Sequence, residues 1–423
     1  MTNRAIEKAA AKALLAGEPD QAVDRLQAAL GGKWRWFRTL AQRFETRFGG
    51  TRPRLLNVSA FLREDRAFQR AIVKYKLDIA LGPIPSVRMQ PIPAASAWGL
   101  PAIESAGQLA DWLCLSTGEL DWLADLRGMN CGALENYQYR AEPKRSGGVR
   151  LVEAPKLRLK AAQQVILHQI LDKIPPHPAA HGFVARRSIQ SFASPHVGKK
   201  IVLKMDLQDF FPTISAARIN ALFRILGYPE SVADLLGGLC TNTVPKAVCR
   251  ILSASPELYN RLHVPQGAPT SPALANACAY RADCRLAGLA ESAGLDYTRY
   301  ADDLAFSGDR ISSTFAAHAV AILMEEGFDV NHRKTRIMRQ GVRQCLAGLV
   351  TNQRLNVARE DFDQLKATLT NCVRHGPVSQ NRHGHPQFRL HLEGRIAFVS
   401  SLNRAKGQRL RRIFEQIEWP RAT

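Results

Sequence analysis

The sequence of 423 residues has no long apolar run and no apolar leader. A membrane-spanning helix needs about 18 or more consecutive apolar residues, so no span and no membrane partner are expected. The first residues carry an early acid, Glu7, and no apolar stretch of signal-peptide length. The sequence therefore predicts a cytoplasmic location.

Paired metal-binding cysteines are also missing. The chain contains 8 cysteines, and no two of them have Cys-x-x-Cys spacing. We therefore interpret them as reduced core residues, and not as disulfides or zinc ligands. They are Cys114, Cys131, Cys240, Cys249, Cys278, Cys284, Cys345 and Cys372.

Acidic residues are scarce relative to basic ones. There are 37 Asp and Glu against 58 Lys and Arg, which gives a formal net charge of +21. A charge of this size describes partners and not the fold, and nucleic acid is the commonest polyanion. The alternative is a basic protein whose charge serves only solubility.

Residues 1–81 have the composition of a basic helical extension, with apolar residues such as Leu26 and Leu30 at helical spacing. Basic and aromatic residues alternate around position 35, a pattern that can hold phosphates and stack bases. We predict RNA binding there by Lys33, Arg35 and Arg38. The alternative is an amphipathic helix whose aromatic residues are core and whose charges are solvated.

The rest of the chain divides into regions of different composition and residue pattern. Residues 82–101 are rich in proline, which cannot continue a helix, and are expected to be a linker. Mixed helix and strand patterns follow from about residue 137, including a hairpin with its turn at Ser146–Gly148. The expected fold class is α+β.

Three aspartates form the strongest chemical pattern. Asp206 ends an apolar strand-like run, and Asp302 and Asp303 are adjacent at the tip of an expected hairpin, 96 residues later. Acids placed among apolar residues are costly unless cations compensate them. Magnesium is a hard cation that prefers carboxylates, so we predict two Mg²⁺ ions here. One ion would activate a 3′-hydroxyl, and the other would hold a nucleoside triphosphate.

Between residues 137 and 352, five ordered blocks resemble the motifs of reverse transcriptases. The resemblance implies a right-hand polymerase fold, with fingers and palm in 102–345 and a primer-grip hairpin and helical thumb in 346–423. It also implies RNA-directed DNA polymerase activity on dNTPs. The blocks are Arg150–Pro155 with Leu159, Lys160 and Gln163; Asp206–Pro212; Gln266–Pro272; Tyr300–Asp303; and Gly327–Asn331 with Lys334 and Thr335.

The same resemblance implies four nucleotide-binding residues. Arg150 would clamp phosphates, and Phe211 would exclude a 2′-hydroxyl by packing against the sugar. Gln266 would hydrogen-bond nucleotide or template, and Lys334 would give a proton to leaving pyrophosphate. The alternatives are a solvated hairpin charge for Arg150, a core side chain for Phe211 and a surface lysine for Lys334.

The run His181–Phe183 with Ser188, Ile189 and His196 resembles bacterial retron reverse transcriptases. Retron kinship implies a structured noncoding RNA as template and primer, with priming from a guanosine 2′-hydroxyl and a branched RNA–DNA product (msDNA). It also implies an effector protein in anti-phage defence. His196 is expected to bind RNA, with a hydrogen-bonded loop histidine as the alternative. Two other functions stay open: another bacterial defence reverse transcriptase, and an RNA-binding scaffold without catalysis.

Overall fold

A computed structural model describes residues 3–16, 21–49, 51, 53–77, 79, 88–143, 149–250 and 256–419. The chain separates into two compact units. The first contains the chain up to Pro175 together with Phe211–Cys278, and the second contains Pro176–Phe210 together with the chain from Ala279 on. Both units are discontinuous in sequence, and they do not test the division at 81, 101 and 345 that is expected from the sequence. That division remains a functional hypothesis.

Helices dominate the described residues. In chain order they are α1 (Asn3–Leu15), α2 (Ala22–Leu30), α3 (Trp36–Phe48), α4 (Leu55–Glu64), α5 (Arg66–Lys74), α6 (Pro93–Ser96), α7 (Ala106–Trp112), α8 (Thr117–Ala124), α9 (Leu157–Gln169), α10 (Ile189–Ala193), α11 (Phe210–Thr213), α12 (Ala216–Ile225), α13 (Glu230–Cys240), α14 (Lys246–Cys249), α15 (Pro256–Tyr259), α16 (Ser271–Ser292), α17 (Ser313–Glu325), α18 (Arg359–His375), α19 (Pro377–Gln380), α20 (Phe388–Leu402) and α21 (Arg404–Phe414).

The strands form three antiparallel groups. The strands are β1 (Tyr137–Pro143), β2 (Val149–Pro155), β3 (Ile201–Asp206), β4 (Asp296–Tyr300), β5 (Asp303–Gly308), β6 (Arg336–Arg339), β7 (Cys345–Leu346), β8 (Leu349–Val350) and β9 (Asn356–Val357). The first unit contains the β1–β2 pair, and the second contains sheets of order β4-β5-β3-β6 and β7-β8-β9. The predicted turn Ser146–Gly148 lies outside the described residues.

The helical interpretation of the N-terminal region is confirmed by α1–α5. Their apolar positions form one buried cluster, in which Leu26, Phe37, Leu62 and Phe68 are all fully buried. Asp65 caps α5, because its carboxylate accepts a hydrogen bond from the Phe68 amide at 2.8 Å. The cluster shows that these helices have a core of their own.

The four-stranded sheet supports the predicted carboxylates. Strand β3 is paired on both sides, by β5 and β6, and its residues Ile201, Val202, Leu203 and Met205 are buried. A strand that is buried on both faces has an almost continuous apolar sequence, and the residues before Asp206 form such a sequence. The strand and the β4–β5 hairpin expected from the sequence are both confirmed.

Eight of the described residues other than glycine have a left-handed backbone, and two of them lie in short turns between strands. Ala301 connects β4 to β5 with φ 54°, and Ala347 precedes Gly348 in the β7–β8 turn with φ values of 46° and 84°. A Cβ makes this region unfavourable, so such residues persist only where the surroundings impose them. Ala301 immediately precedes Asp302, which places this strain at the predicted active site.

The structure also bears on membrane-spanning helices and on the burial of the cysteines. No helix in the described ranges combines the length and the apolar content needed to cross a membrane. The cysteine expectation is partly wrong, because Cys114, Cys131 and Cys284 are exposed, whereas Cys240, Cys249 and Cys372 are buried.

Two leucines of α4 test the core assignment. Leu62 is fully buried and Leu56 is 75% exposed. We expect Leu62→Ala to lower the free energy of opening of α1–α5 by about 2–5 kcal/mol through reduced burial and a cavity. Leu56→Ala should change it by less than about 0.5 kcal/mol. Native-state hydrogen exchange of the amides in these helices measures both, and equal effects would contradict the assignment.

Candidate active site

Two of the predicted carboxylates face each other on neighbouring strands. Asp206, the last residue of β3, is directly opposite Asp303, the first residue of β5. Side chains of directly opposed residues lie on the same face of a sheet with Cβ atoms about 5 Å apart. Asp302 occupies the adjoining turn. The three acids therefore lie at one end of one sheet, although Asp206 is 96 residues before Asp302 in the sequence.

Backbone hydrogen bonds fix three chain segments at this end. The Leu207 amide donates to the Asp302 carbonyl at 2.9 Å, and the Asn331 amide donates to the Asp206 carbonyl at 2.7 Å. The Gln208 amide also donates to the Asp329 carbonyl at 2.8 Å. The end of β3 thus holds both the aspartate turn and the loop before Lys334.

Two lysines neutralise the facing carboxylates. Lys334 Nζ lies 3.0 Å from each carboxylate oxygen of Asp206, and Lys204 Nζ lies 2.9 Å from Asp303 Oδ1. The surface-lysine alternative for Lys334 is too simple, because its head group is paired even though the side chain is 47% exposed. Lys204 was not predicted from the sequence. Its signal was the spacing of two before Asp206, which puts both on one face of β3.

Burial and mutual repulsion disfavour the charged carboxylates. Burial raises the pKa of Asp206, and Asp303 raises it further, while the Lys334 ammonium opposes the change. The pKa of Asp302 is also raised, first by burial and then by the negative charges of Asp303 and Asp206. Like charges directly opposite on adjacent strands destabilise a sheet. These aspartates therefore gain from any nearby cation.

The donor chemistry fits magnesium, although the protein does not supply a complete set of ligands. Among the described residues, no three His, Cys, Asp or Glu side chains already converge as a metal-binding group. Magnesium binds through one or two carboxylates and keeps water or substrate phosphate oxygens as its other ligands. Asp206 and Asp303, with Asp302 beside them, can supply that part of the coordination.

Three of the predicted nucleotide-binding residues, Arg150, Phe211 and Gln266, belong to the first unit. Arg150 is exposed on β2, and Gln266 lies in a loop whose backbone binds the same strand: the Glu153 amide donates to the Gln266 carbonyl at 2.8 Å. A Cβ on Gly267 would lie 3.0 Å from the Glu153 carbonyl oxygen, and its φ of 133° favours glycine. This close approach explains the glycine of the Gln266–Pro272 block.

A fully buried hydrogen bond reinforces that junction and was not predicted from the sequence. His263 Nε2 lies 3.0 Å from Glu153 Oε1, and neither side chain is exposed. Asn242 Nδ2 donates to the other carboxylate oxygen at 2.8 Å. The network connects β2, which carries Arg150, to the chain that leads into Gln266.

Phe210 and Phe211 differ in burial. Phe210 is buried and packs on Phe328, with ring centroids 5.6 Å apart. Phe211 is half-buried at the start of α11 and keeps accessible surface. Phe210 is thus the core residue of the two.

The basic candidates in the N-terminal helices are exposed, but their aromatic neighbours are not arranged as a free stacking platform. Lys33, Arg35 and Arg38 all present their side chains to solvent. Phe37 is fully buried, and Trp34 packs on Tyr75 with ring centroids 4.4 Å apart. The aromatic residues therefore follow the core alternative, whereas the three cations form a surface.

The prediction that His196 binds RNA is wrong. It is fully buried, with Nδ1 2.6 Å from Ser307 Oγ and Nε2 2.7 Å from Thr298 Oγ1. Burial lowers the pKa of the ring to about 4, so the imidazole is neutral and its two nitrogens bond to two strands. A ring enclosed in this way has no surface for RNA. His196 is the hydrogen-bonded structural histidine of the alternative interpretation.

Comparison with known proteins agrees with this geometry. The family described as "Reverse transcriptase (RNA-dependent DNA polymerase)" matches residues 142–364. The retron Mx65 reverse transcriptase of Myxococcus xanthus is 43% identical over 325 residues, covering 74% of this chain and 72% of the relative. This chain belongs to the bacterial retron-type reverse transcriptases.

Two further relatives support the assignment of this retron-type reverse transcriptase. The retron Mx162 enzyme of Myxococcus xanthus is 37% identical over 332 residues, covering 74% of this chain and 67% of its own. The retron Ec86 enzyme of Escherichia coli is 31% identical over 275 residues, covering 64% of this chain and 77% of its own. The enzyme is an RNA-directed DNA polymerase, and the matched family region contains all three aspartates.

The raised pKa of Asp302 predicts a pH-dependent stability difference. A folded state that raises a carboxyl pKa binds the proton more tightly than the unfolded chain does, so stability falls as pH rises through the raised value. In metal-free buffer, Asp302→Asn should therefore unfold at a higher temperature than the unchanged protein at pH 7. As the pH falls to about 4, the ordinary pKa of an aspartate, the difference between the two unfolding temperatures should shrink.

Thermal unfolding of both proteins across this pH range measures the difference. Asp309→Asn is the control, because the Asp309 side chain is 78% exposed at the far end of β5. It should show no comparable gain. A lower unfolding temperature for Asp302→Asn at pH 7 would contradict the assignment of a repelled, partly buried carboxylate.

Proposed function

We propose that this retron-type enzyme copies a structured noncoding RNA and joins the new DNA to that RNA. The observation that supports polymerisation most directly is the pairing of Asp206 with Asp303 across β3 and β5, with Asp302 in the adjoining turn. Synthesis starts from a guanosine 2′-hydroxyl of the RNA and gives a branched RNA–DNA hybrid, msDNA. The kinship to three retron enzymes supports this product over that of another defence reverse transcriptase.

The three aspartates hold two Mg²⁺ ions in this proposal. When bound, the metal lowers the pKa of the attacking hydroxyl and stabilises charge on the transferred phosphoryl group. Lys204 and Lys334 pair with the facing carboxylates at the sheet until the cations bind. Lys334 is long and half-exposed, so its ammonium can turn from Asp206 towards leaving pyrophosphate and donate a proton.

The nucleotide-binding roles follow from side-chain chemistry. Arg150 is exposed on a strand anchored by the Glu153–His263 pair, so a permanent cation is presented from a rigid support. Gln266 is anchored to the same strand and hydrogen-bonds nucleotide or template. Phe211 selects dNTPs by steric exclusion of a ribose 2′-hydroxyl, for which its accessible ring is suited.

We infer the right-hand layout from the same elements. The sheet β4-β5-β3-β6 is the palm, and the β1–β2 pair with the Gln266 loop contributes the fingers. The β7-β8-β9 sheet is the primer grip, and α18–α21 form the thumb. The thumb helices share a core of their own, which includes Leu369, Leu392 and Leu410.

The N-terminal helices α1–α5 form a basic extension that binds the noncoding RNA through Lys33, Arg35 and Arg38. Exposed cations contribute by releasing counterions from phosphates. The RNA–protein complex acts in the cytoplasm, and an effector protein uses it in defence against phage. The net charge of +21 supports a polyanionic partner.

Asp303→Asn tests the catalytic proposal. The change keeps the size of the side chain and removes a metal-binding charge. We expect DNA synthesis to fall by at least about 1,000-fold, because metal ions supply several kcal/mol of charge stabilisation. RNA binding should be retained. Primer extension with purified protein and a filter-binding assay measure the two quantities, with Asp309→Asn as the charge-matched control.

The nucleic acid that copurifies from the host identifies the product. Sequencing should find DNA attached to RNA in the unchanged protein and RNA alone with Asp303→Asn. Treatment with a debranching enzyme should separate the two strands. Unbranched DNA would favour another kind of defence reverse transcriptase, and defence that survives Asp303→Asn would favour an RNA-binding scaffold.

The basic surface makes a separate prediction. Replacing Lys33, Arg35 and Arg38 together by Ala should weaken RNA binding and flatten its salt dependence. The slope of log affinity against log salt should fall by about 0.7–0.9 for each phosphate that the variant no longer neutralises. His196→Gln is the control and should leave the slope unchanged. Identical slopes for the triple variant and the unchanged protein would remove the N-terminal helices from the interface.

A further inference from the structure

Arg299 is the largest fully buried side chain among the described residues. It lies on β4, one residue before Tyr300, and its guanidinium forms a two-pronged ion pair with Asp283 of α16. Arg299 Nε donates to Asp283 Oδ1 at 2.8 Å, and Nη2 donates to Oδ2 at 2.6 Å. Asp283 is also fully buried and accepts from the Tyr297 hydroxyl at 2.8 Å.

A third hydrogen bond connects this pair to the aspartate turn. Arg299 Nη1 donates to the carbonyl oxygen of Ala301 at 3.1 Å. Ala301 is the residue with φ 54°, and its carbonyl belongs to the peptide that leads into Asp302. The guanidinium therefore holds from the interior a backbone conformation that an alanine does not favour by itself.

Residues 179–182 also lie against the turn. The backbone of Arg299 bonds to this segment twice, to the Ala179 carbonyl and from the His181 amide, each at 2.7 Å. A Cβ at Gly182 would lie 2.4 Å from the Ala301 nitrogen. Gly182 thus allows the segment to press on the turn, which explains the glycine in the His181–Phe183 run.

We propose that the buried Arg299–Asp283 pair is a positioning device for the aspartate turn, which sets where Asp302 and Asp303 present their carboxylates to metal. The inference rests on the metal-binding role proposed for those aspartates. A buried ion pair is weak evidence for stability, since apolar residues of similar volume are often as stable. The additional donor aimed at Ala301 gives the pair a different purpose, because a guanidinium fork fixes three acceptors at once.

The main test replaces every polar member of the cluster with an apolar side chain of similar volume. In Arg299→Met/Asp283→Leu/Tyr297→Phe no member of the cluster keeps a buried charge or hydroxyl, so the protein should stay folded. We expect kcat for primer extension to fall by about 10- to 100-fold, because small displacements of catalytic groups have effects of this size. KM for dNTP should stay within about twofold, since the nucleotide-binding residues are unchanged.

A second readout is independent of turnover. Binding of Mn²⁺ alone, measured by electron paramagnetic resonance, should weaken several-fold in the triple variant. Hydrogen exchange of the amides at 300–304 should become faster, while exchange in α1–α5 stays unchanged. A purely structural role would leave Mn²⁺ affinity unchanged once the protein is folded.

Arg285→Met is the matched control. Arg285 lies on the same helix as Asp283 and pairs with Glu325 and Glu326, away from the turn. It should keep kcat and Mn²⁺ affinity. Arg299→Lys is a second variant, which retains the charge opposite Asp283 but has no fork to reach Ala301. It should reduce kcat in the same direction even if the triple variant does not fold.

The outcomes separate the two proposals. Normal kcat and Mn²⁺ affinity in folded triple and Arg299→Lys variants would overturn the positioning role. Full polymerisation by Asp303→Asn would instead overturn the metal-binding role on which it rests. Loss of activity in Asp303→Asn with the graded loss described for Arg299 would support both.

Discussion

The structure depends on two negative charges placed directly opposite each other. Asp206 ends β3 and Asp303 begins β5, so like charges repel across the two strands, and burial raises the pKa of Asp206. Lys334 pairs with Asp206 and Lys204 with Asp303, which compensates each charge separately. A divalent cation can bind both carboxylates at once. One cation of charge +2 between them then replaces two separate lysine pairings. The unfavourable arrangement of charge is thus what makes the site suited to metal.

Rigid supports surround this end of the sheet. Hydrogen bonds from Leu207 and Asn331 fix the segments on either side of Asp206, and the Arg299–Asp283 pair lies beneath the aspartate turn. In the first unit, the Glu153–His263 pair similarly fixes the strand of Arg150. A buried ion pair such as Arg299–Asp283 contributes little net stability, so its position behind the aspartate turn points to geometric control. A polymerase needs this control because catalysis by metal ions depends on the placement of reacting groups.

Much of the site could be predicted from local sequence. The ordered blocks that resemble reverse transcriptases predicted the family. The apolar run before Asp206 and the adjacent Asp302 and Asp303 predicted the strands that hold the carboxylates. The exposed Lys33, Arg35 and Arg38 were likewise visible as charge. His196 was assigned wrongly, because its neighbours in sequence are those of a loop, whereas its hydrogen-bond partners Thr298 and Ser307 lie 102 and 111 residues away.

The sequence by itself determined the chemistry of this protein: its acids, its basic surface, its family and most of its helices and strands. These properties follow from residue type and short spacing, which act through local backbone preferences and periodic burial. Only the tertiary structure decided which polar side chains pair. Lys204 with Asp303, Glu153 with His263 and Arg299 with Asp283 are pairs made by strand register and helix packing. A pairing between distant residues is set by the core that brings them together, and no local pattern encodes it.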